Sequence, residues 1–291
     1  MVGLLRKTCR ELLESHRVQA VIGYGQKHAE LPPYPVFITS VEDIDQLVWN
    51  DECVANLTTY LTRKDVKRLG KVAVIVKGCD AKALVVLQRE SQIDRSQIVV
   101  VGVACNGVVA TGRRQDPTST PERAAKCKVC DVHVPQFVDI TIGEAAASET
   151  EADKRYPDLD LFLTQSPDER MAYWQEELSR CIKCYACRQA CPLCYCEQCI
   201  VDKNRPTRLS TSATLKGNYA WQITRAFHLA GRCIGCDECT RACPAGINLR
   251  LLNQSLAKAA EQSFAYRAGM DPDAEPVVGA FSEQDKESFI Q

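Results

Sequence analysis

The chain has 291 residues, 45% hydrophobic and 25% charged, with a formal net charge of −1. Its length suggests two domains. The near-zero charge excludes a protein held on nucleic acid by bulk attraction. No uncharged apolar run approaches the roughly 18 residues of a membrane span, so any membrane association has to come through a partner.

In chain order, Leu4, Leu5, Leu12 and Leu13 fit one face of an N-terminal helix. Ala20–Tyr24 and Val36–Thr39 are short apolar runs that predict strands. Lys71–Lys77 and Gln97–Val103 are continuous and β-branched, as in strands buried on both faces. Between them Ala81–Glu90 has the apolar spacing of a helix, so the three elements form a right-handed βαβ unit with parallel strands. Residues 144–169 are acidic with little periodicity and suggest a linker that packs on a neighbour. Ser166, Pro167 and Glu169 then make a helix start, a cap followed by proline and a reciprocal glutamate, for a helix running to about Ser179. Two further helices follow. One has Ala220, Ile223, Phe227 and Ala230 as its apolar stripe and stops at Gly231; the other has Leu249, Leu252, Leu256, Ala259 and Phe264. Residues 269–291 are polar.

Cysteine is the anomaly. There are 17, and eleven lie between Cys181 and Cys243. The N-terminus lacks the long apolar core and small-residue cleavage site of an export signal, so the expected compartment is the reducing cytoplasm, where clustered thiols serve as metal ligands rather than disulfides. The pattern C-x2-C-x2-C-x3-C-P occurs twice, as Cys181, Cys184, Cys187, Cys191, Pro192 and as Cys233, Cys236, Cys239, Cys243, Pro244. Three thiolates two residues apart can wrap one 4Fe-4S cube, and the fourth reaches the other cube. The expected sets are therefore Cys181, Cys184, Cys187 with Cys243, and Cys233, Cys236, Cys239 with Cys191. Structural zinc, the rival, prefers two separated C-x2-C pairs per ion. Eleven lysines and arginines against four acids between Arg180 and Arg250 suit negatively charged clusters, or equally a solvated basic face. Cys194, Cys196 and Cys199 follow the first motif without an assigned role.

In the N-terminal half, Cys79 follows one buried strand and Cys105 the other, which places both at the carboxyl edge where open α/β sheets bind ligands. Cys127 and Cys130 come from the following loop, and the four are expected to hold a third 4Fe-4S cluster. Zinc or a redox pair at Cys127 and Cys130 is the alternative. Cys53 is a substitute ligand, Cys9 reads as core and His133 as a surface residue. The Gly23-Tyr24-Gly25 run lacks a third glycine, so no dinucleotide fingerprint or P-loop is present. No catalytic acid, base or nucleophile stands out.

The stretch KVAVIVKGCDAKAL…IVVVGVACNGV…CKVC…VDITIG resembles the β-subunit family of deazaflavin-reducing hydrogenases and related formate dehydrogenases over about residues 65–145. In that family a 4Fe-4S cluster and a flavin, FAD or FMN, share this domain; the resemblance implies the cluster on Cys79, Cys105, Cys127 and Cys130, whereas no residue of this chain is matched to a flavin contact. The stretch RCIKCYACRQACPLCYCEQCIVD…RCIGCDECTRACPAGINL is similar to dicluster ferredoxin subunits of anaerobic sulfite reductases, sulfhydrogenases and heterodisulfide reductases over about residues 178–265. That implies a subunit wiring a flavoprotein to a catalytic oxidoreductase partner.

The expected architecture is an α/β domain with a small parallel sheet over 1–143, an acidic linker over 144–169, a mainly α-helical dicluster ferredoxin domain over 170–268 and a partner-docking tail over 269–291. The expected function is electron transfer through 4Fe-4S clusters within an anaerobic redox complex of the hydrogenase, formate dehydrogenase or heterodisulfide reductase kind. The alternatives are a flavin subunit acting on a deazaflavin or nicotinamide coenzyme, and a zinc-stabilised interaction module.

Overall fold

A computed structural model describes residues 1–110, 122–145, 154–202, 206, 209–210 and 212–278. Residues 146–153 of the acidic stretch and 279–291 of the expected tail lie outside the described residues.

Five strands form one sheet in the order β2-β1-β3-β4-β5: β1 Ala20–Gly25, β2 Tyr34–Ile38, β3 Val72–Val76, β4 Ile98–Val103 and β5 Ile140–Ile142. The pairs β1–β3, β3–β4 and β4–β5 are parallel, and β2 runs antiparallel to β1. The sheet is thus mixed, with one antiparallel edge strand on a parallel core; β2 returns from β1 by a loop too short for a parallel crossover. Every residue of β1, β3 and β4 is buried. Such strands need cover on both faces.

One face is covered by α1 (Val2–Glu14) through Leu5, Cys9, Leu12 and Leu13. Leu4, expected on the same face, is 53% exposed. The other face carries α3 (Gly78–Arg89), with α2 (Lys64–Lys67) beside it. The same apolar core extends from the sheet and α3 to Leu193, Leu229, Ile234 and Cys236 of the cysteine-rich part. Arg232 adds an ion pair to Glu90, whose carboxylate also accepts from Tyr195 Oη at 2.9 Å. After α4 (Ala125–Lys128), the acidic stretch contains a helix, α5 (Pro157–Leu163), with Leu159 buried. Its Asp158 accepts from Arg250 Nη1 at 3.3 Å, and Asp160 pairs with Lys258.

The cysteine-rich part is helical: α6 (Pro167–Ser179), α7 (Ala186–Ala190), α8 (Leu215–His228), α9 (Glu238–Arg241) and α10 (Leu249–Phe264). α6 starts as its sequence suggests, with Ser166 Oγ accepting from Glu169 N at 3.3 Å and Glu169 returning to Ser166 N at 2.7 Å. α8 differs from expectation. Its buried residues are Gly217, Asn218, Trp221, Gln222, Arg225 and Ala226, while Phe227 of the expected stripe is 62% exposed. The polar face turns inward because the cysteine loops offer it acceptors. On α10, Leu249, Leu251 and Leu252 are buried, but Ala259 and Phe264 face solvent. Among the described residues no helix is long and apolar enough to cross a membrane.

Candidate metal centres

All seventeen cysteines are free thiols. Cys181, Cys184, Cys187 and Cys243 line one opening together with Trp221 and Gln222. Three of these thiols come from the first motif and the fourth from the second. Cys233, Cys236, Cys239 and Cys191 form a second neighbourhood: Cys233 bears electrostatically on both Cys236 and Cys239, and Cys236 on Cys191. The short helices α7 and α9, one from each motif, pack against each other and bring the two segments together.

The two motif loops follow one backbone path. Lys183 (φ 52°) and Tyr185 (φ 59°) are left-handed in the first, and Gly235 (φ 71°) and Asp237 (φ 63°) occupy the equivalent places in the second. Left-handed non-glycine residues cost of order 1–3 kcal/mol each and persist only where the surroundings enforce them. Alternating right- and left-handed residues aim successive N–H groups into one concavity, which suits an anion or an iron–sulfur cluster. Strain repeated at matching positions of both loops therefore fits a cube held by each.

α8 supports these loops from behind. Asn218 Nδ2 donates to Leu178 O at 3.0 Å and Cys181 O at 2.7 Å. Gln222 Nε2 reaches Cys181 Sγ at 3.8 Å, and Asn253 Nδ2 of α10 reaches Cys239 Sγ at 3.5 Å. Arg225 Nη2 donates to Cys187 O at 3.2 Å. Sequence reasoning missed these residues, because amides and guanidinium groups on an otherwise apolar helix read as its wet side. Their spacing, Asn218, Gln222 and Arg225 on one stripe, was the available signal.

The sheet-edge thiols also converge. Cys79 lies in the first turn of α3, Cys105 just beyond β4, Cys127 in α4 and Cys130 just after it, and all four line one cleft. Val108 N donates to Cys127 Sγ at 3.3 Å and Gly107 N to Cys105 Sγ at 3.4 Å. Gly78 makes the approach possible: a Cβ there would sit 1.9 Å from Val132 O, so no other residue lets the loop carrying Cys130 close on α3. Burial pushes the Cys79 thiol up to about 12 and raises Cys105 and Cys130. Iron bound by these thiols would have to displace their protons.

Among the described residues the cleft is basic, lined by Lys77, Lys82, Lys126, Arg155, Arg250 and Arg267 against one acid, Asp131. Cys233 of the second neighbourhood lines it too. Lys126, buried, bears on Cys79 on one side and Cys236 on the other, and contacts Glu238 at 3.9 Å. Lys77 lies beneath the sheet edge. Burial alone would lower its pKa, but Asp80 at 2.9 Å and Tyr24 outweigh that and hold its proton firmly.

Cys53 is buried, away from the cleft lining, as is Cys9 under α1. His133 does not line the cleft; its carbonyl accepts from Cys105 N at 2.9 Å. Cys194 lies against Cys191, and the hydrogen bond between them, with Arg225 beyond, holds the Cys194 thiol down at about 6. Cys199 packs beside the first opening and Cys196 is exposed. Among the described residues no three His, Cys, Asp or Glu side chains converge tightly enough for a single metal ion.

Residues 177–247 match the family model described as a 4Fe-4S dicluster domain. The chain is 20% identical to the F420-dependent formate dehydrogenase subunit beta of Methanocaldococcus jannaschii, over 94% of this chain and 93% of that protein. It is 22% identical to the F420-dependent formate dehydrogenase 1 subunit beta of Methanococcus maripaludis, over 95% and 93%. The chain therefore resembles the β-subunits of F420-dependent formate dehydrogenases along nearly its whole length, with a 4Fe-4S dicluster domain in its cysteine-rich part.

Proposed function

We propose that this chain is an iron–sulfur electron-transfer subunit of an oxidoreductase complex, with three 4Fe-4S sites arranged in a row. The observation that carries the reading is the shared cleft. The sheet-edge thiols Cys79, Cys105, Cys127 and Cys130 line it together with Cys233, while the Cys181 set opens separately. The order is then the sheet-edge site, the Cys233, Cys236, Cys239, Cys191 site, and the Cys181, Cys184, Cys187, Cys243 site. Each 4Fe-4S cluster supplies one-electron chemistry when bound. The chain's own residues hold the cubes, surround them with cations and backbone N–H groups, and keep the middle site from solvent.

The relatives' names favour a complex of the formate dehydrogenase kind; the neighbours proposed for this chain are a flavoprotein and a catalytic oxidoreductase subunit. The test is iron and acid-labile sulfide per chain after anaerobic preparation. About 12 irons support three sites and about 8 restrict the row to the dicluster part. Zinc without sulfide overturns the reading. FAD or FMN released by acid would add the flavin-subunit reading to it.

A further inference from the structure

Arg225 is a buried cation that faces no carboxylate among the described residues. It is 4% exposed, in the middle of α8. Among the described residues no carboxylate forms an ion pair with it, and its Nε has no hydrogen-bond partner. A buried cation without a counter-charge is costly. Three other cations with buried side chains face a carboxylate, Lys77 at Asp80, Lys126 at Glu238 and Arg250 at Asp158, and a fourth, Lys183, donates to Ser210 O. Its Nη2 donates to Cys187 O at 3.2 Å, inside the first cysteine loop. The thiols bearing on it are Cys194, Cys191, Cys239 and Cys187. Cys191 and Cys239 belong to the second set, Cys187 to the first, and Cys194 to neither.

We propose that Arg225 is the shared counter-ion of the two clusters, placed between them so that one guanidinium raises the reduction potential of both. The inference rests on the two-cluster reading of the C-terminal half. A cube held by four thiolates is negative, and gaining one electron makes it more so. A fixed cation in a dry setting therefore favours the reduced form of each cluster it faces. Arg225 is a positioning residue: it touches the cysteine loops and takes no part in the electron's path. Gln222 and Asn253 each reach one sulfur of one set, whereas Arg225 faces both.

The test is a redox titration followed by low-temperature paramagnetic resonance on the full chain, prepared without oxygen, with iron and sulfide counted. Arg225→Gln is expected to keep its iron and to lower two midpoint potentials together, each by at least tenfold in the reduction equilibrium, about 59 mV for one electron. Arg225→Lys keeps the charge and is expected to restore most of both. Iron-replete Arg225→Gln with unchanged potentials, or with only one shifted, overturns the inference. If Arg225→Gln loses iron, Arg225→Lys decides: retained iron supports a need for charge, and lost iron shows that the hydrogen bond to Cys187 O is what matters and the proposal fails. Cys194→Ser is expected to keep the full iron complement. Loss of iron there would make Cys194 a ligand and break the thiol set on which the inference stands. Wild-type chain without iron and sulfide would instead sink the two-cluster reading itself.

Discussion

Strands β1, β3 and β4 are buried along their whole length and built mainly of Val, Ile, Ala and Gly with Tyr24, whereas the helices around the C-terminal cysteines turn amides and guanidinium groups inward. Of the twelve buried polar or charged residues described, eight lie between Lys183 and Gln254. The local apolar core there is small and includes Cys187 and Cys239 themselves. The α/β part can rest on hydrophobic burial. The helical part gathers polar groups and strained loops around openings lined by thiols, so clusters bound there would add to its folding energy.

The largest expected effect tests that contrast directly. Stripping iron with a chelator under reducing conditions should expose residues 180–250 to protease while the sheet of residues 20–103 stays protected. Limited proteolysis with mass spectrometry reads the difference, and uniform resistance would erase the contrast. Next comes the sharing between segments. Cys243→Ser should lose about four irons. Alkylation should then label Cys181, Cys184 and Cys187, with Cys233, Cys236 and Cys239 still shielded; the reverse pattern would refute the pairing. Third, Lys77→Met leaves the Asp80 carboxylate buried without its partner and should cost about 3–5 kcal/mol. Denaturant unfolding should show this cost with or without iron, since Lys77 is compensated by protein charge. Smallest is Ser166→Ala, which removes the cap of α6 and should cost about 1 kcal/mol. Its effect should be confined to thermal unfolding of the helical part.

What could be read beforehand follows the range of the forces involved. The thiol motifs were legible because their spacing is local and each set draws on only two segments. β1, β3 and β4 were legible because a continuous β-branched run has few other uses. β5 was not, since its three residues Ile140–Ile142 are too few to form a run. The direction of β2 depends on a partner rather than on its own composition. α8 misled for a physical reason: its apolar stripe points outward at Phe227 because Asn218, Gln222 and Arg225 are needed inside. α5 hid among acids that serve Arg250 and Lys258 across the fold.

Cys243 lies beside Cys181, Cys184 and Cys187, although α8 and the whole second motif intervene in the chain. In the proposed pairing the earlier opening would stay one thiol short during synthesis until the later segment has left the ribosome. If the proposed pairing holds, a product truncated before Cys243 would offer only three thiols on that side, and a complete quartet would wait until both halves of the duplicated loop had met.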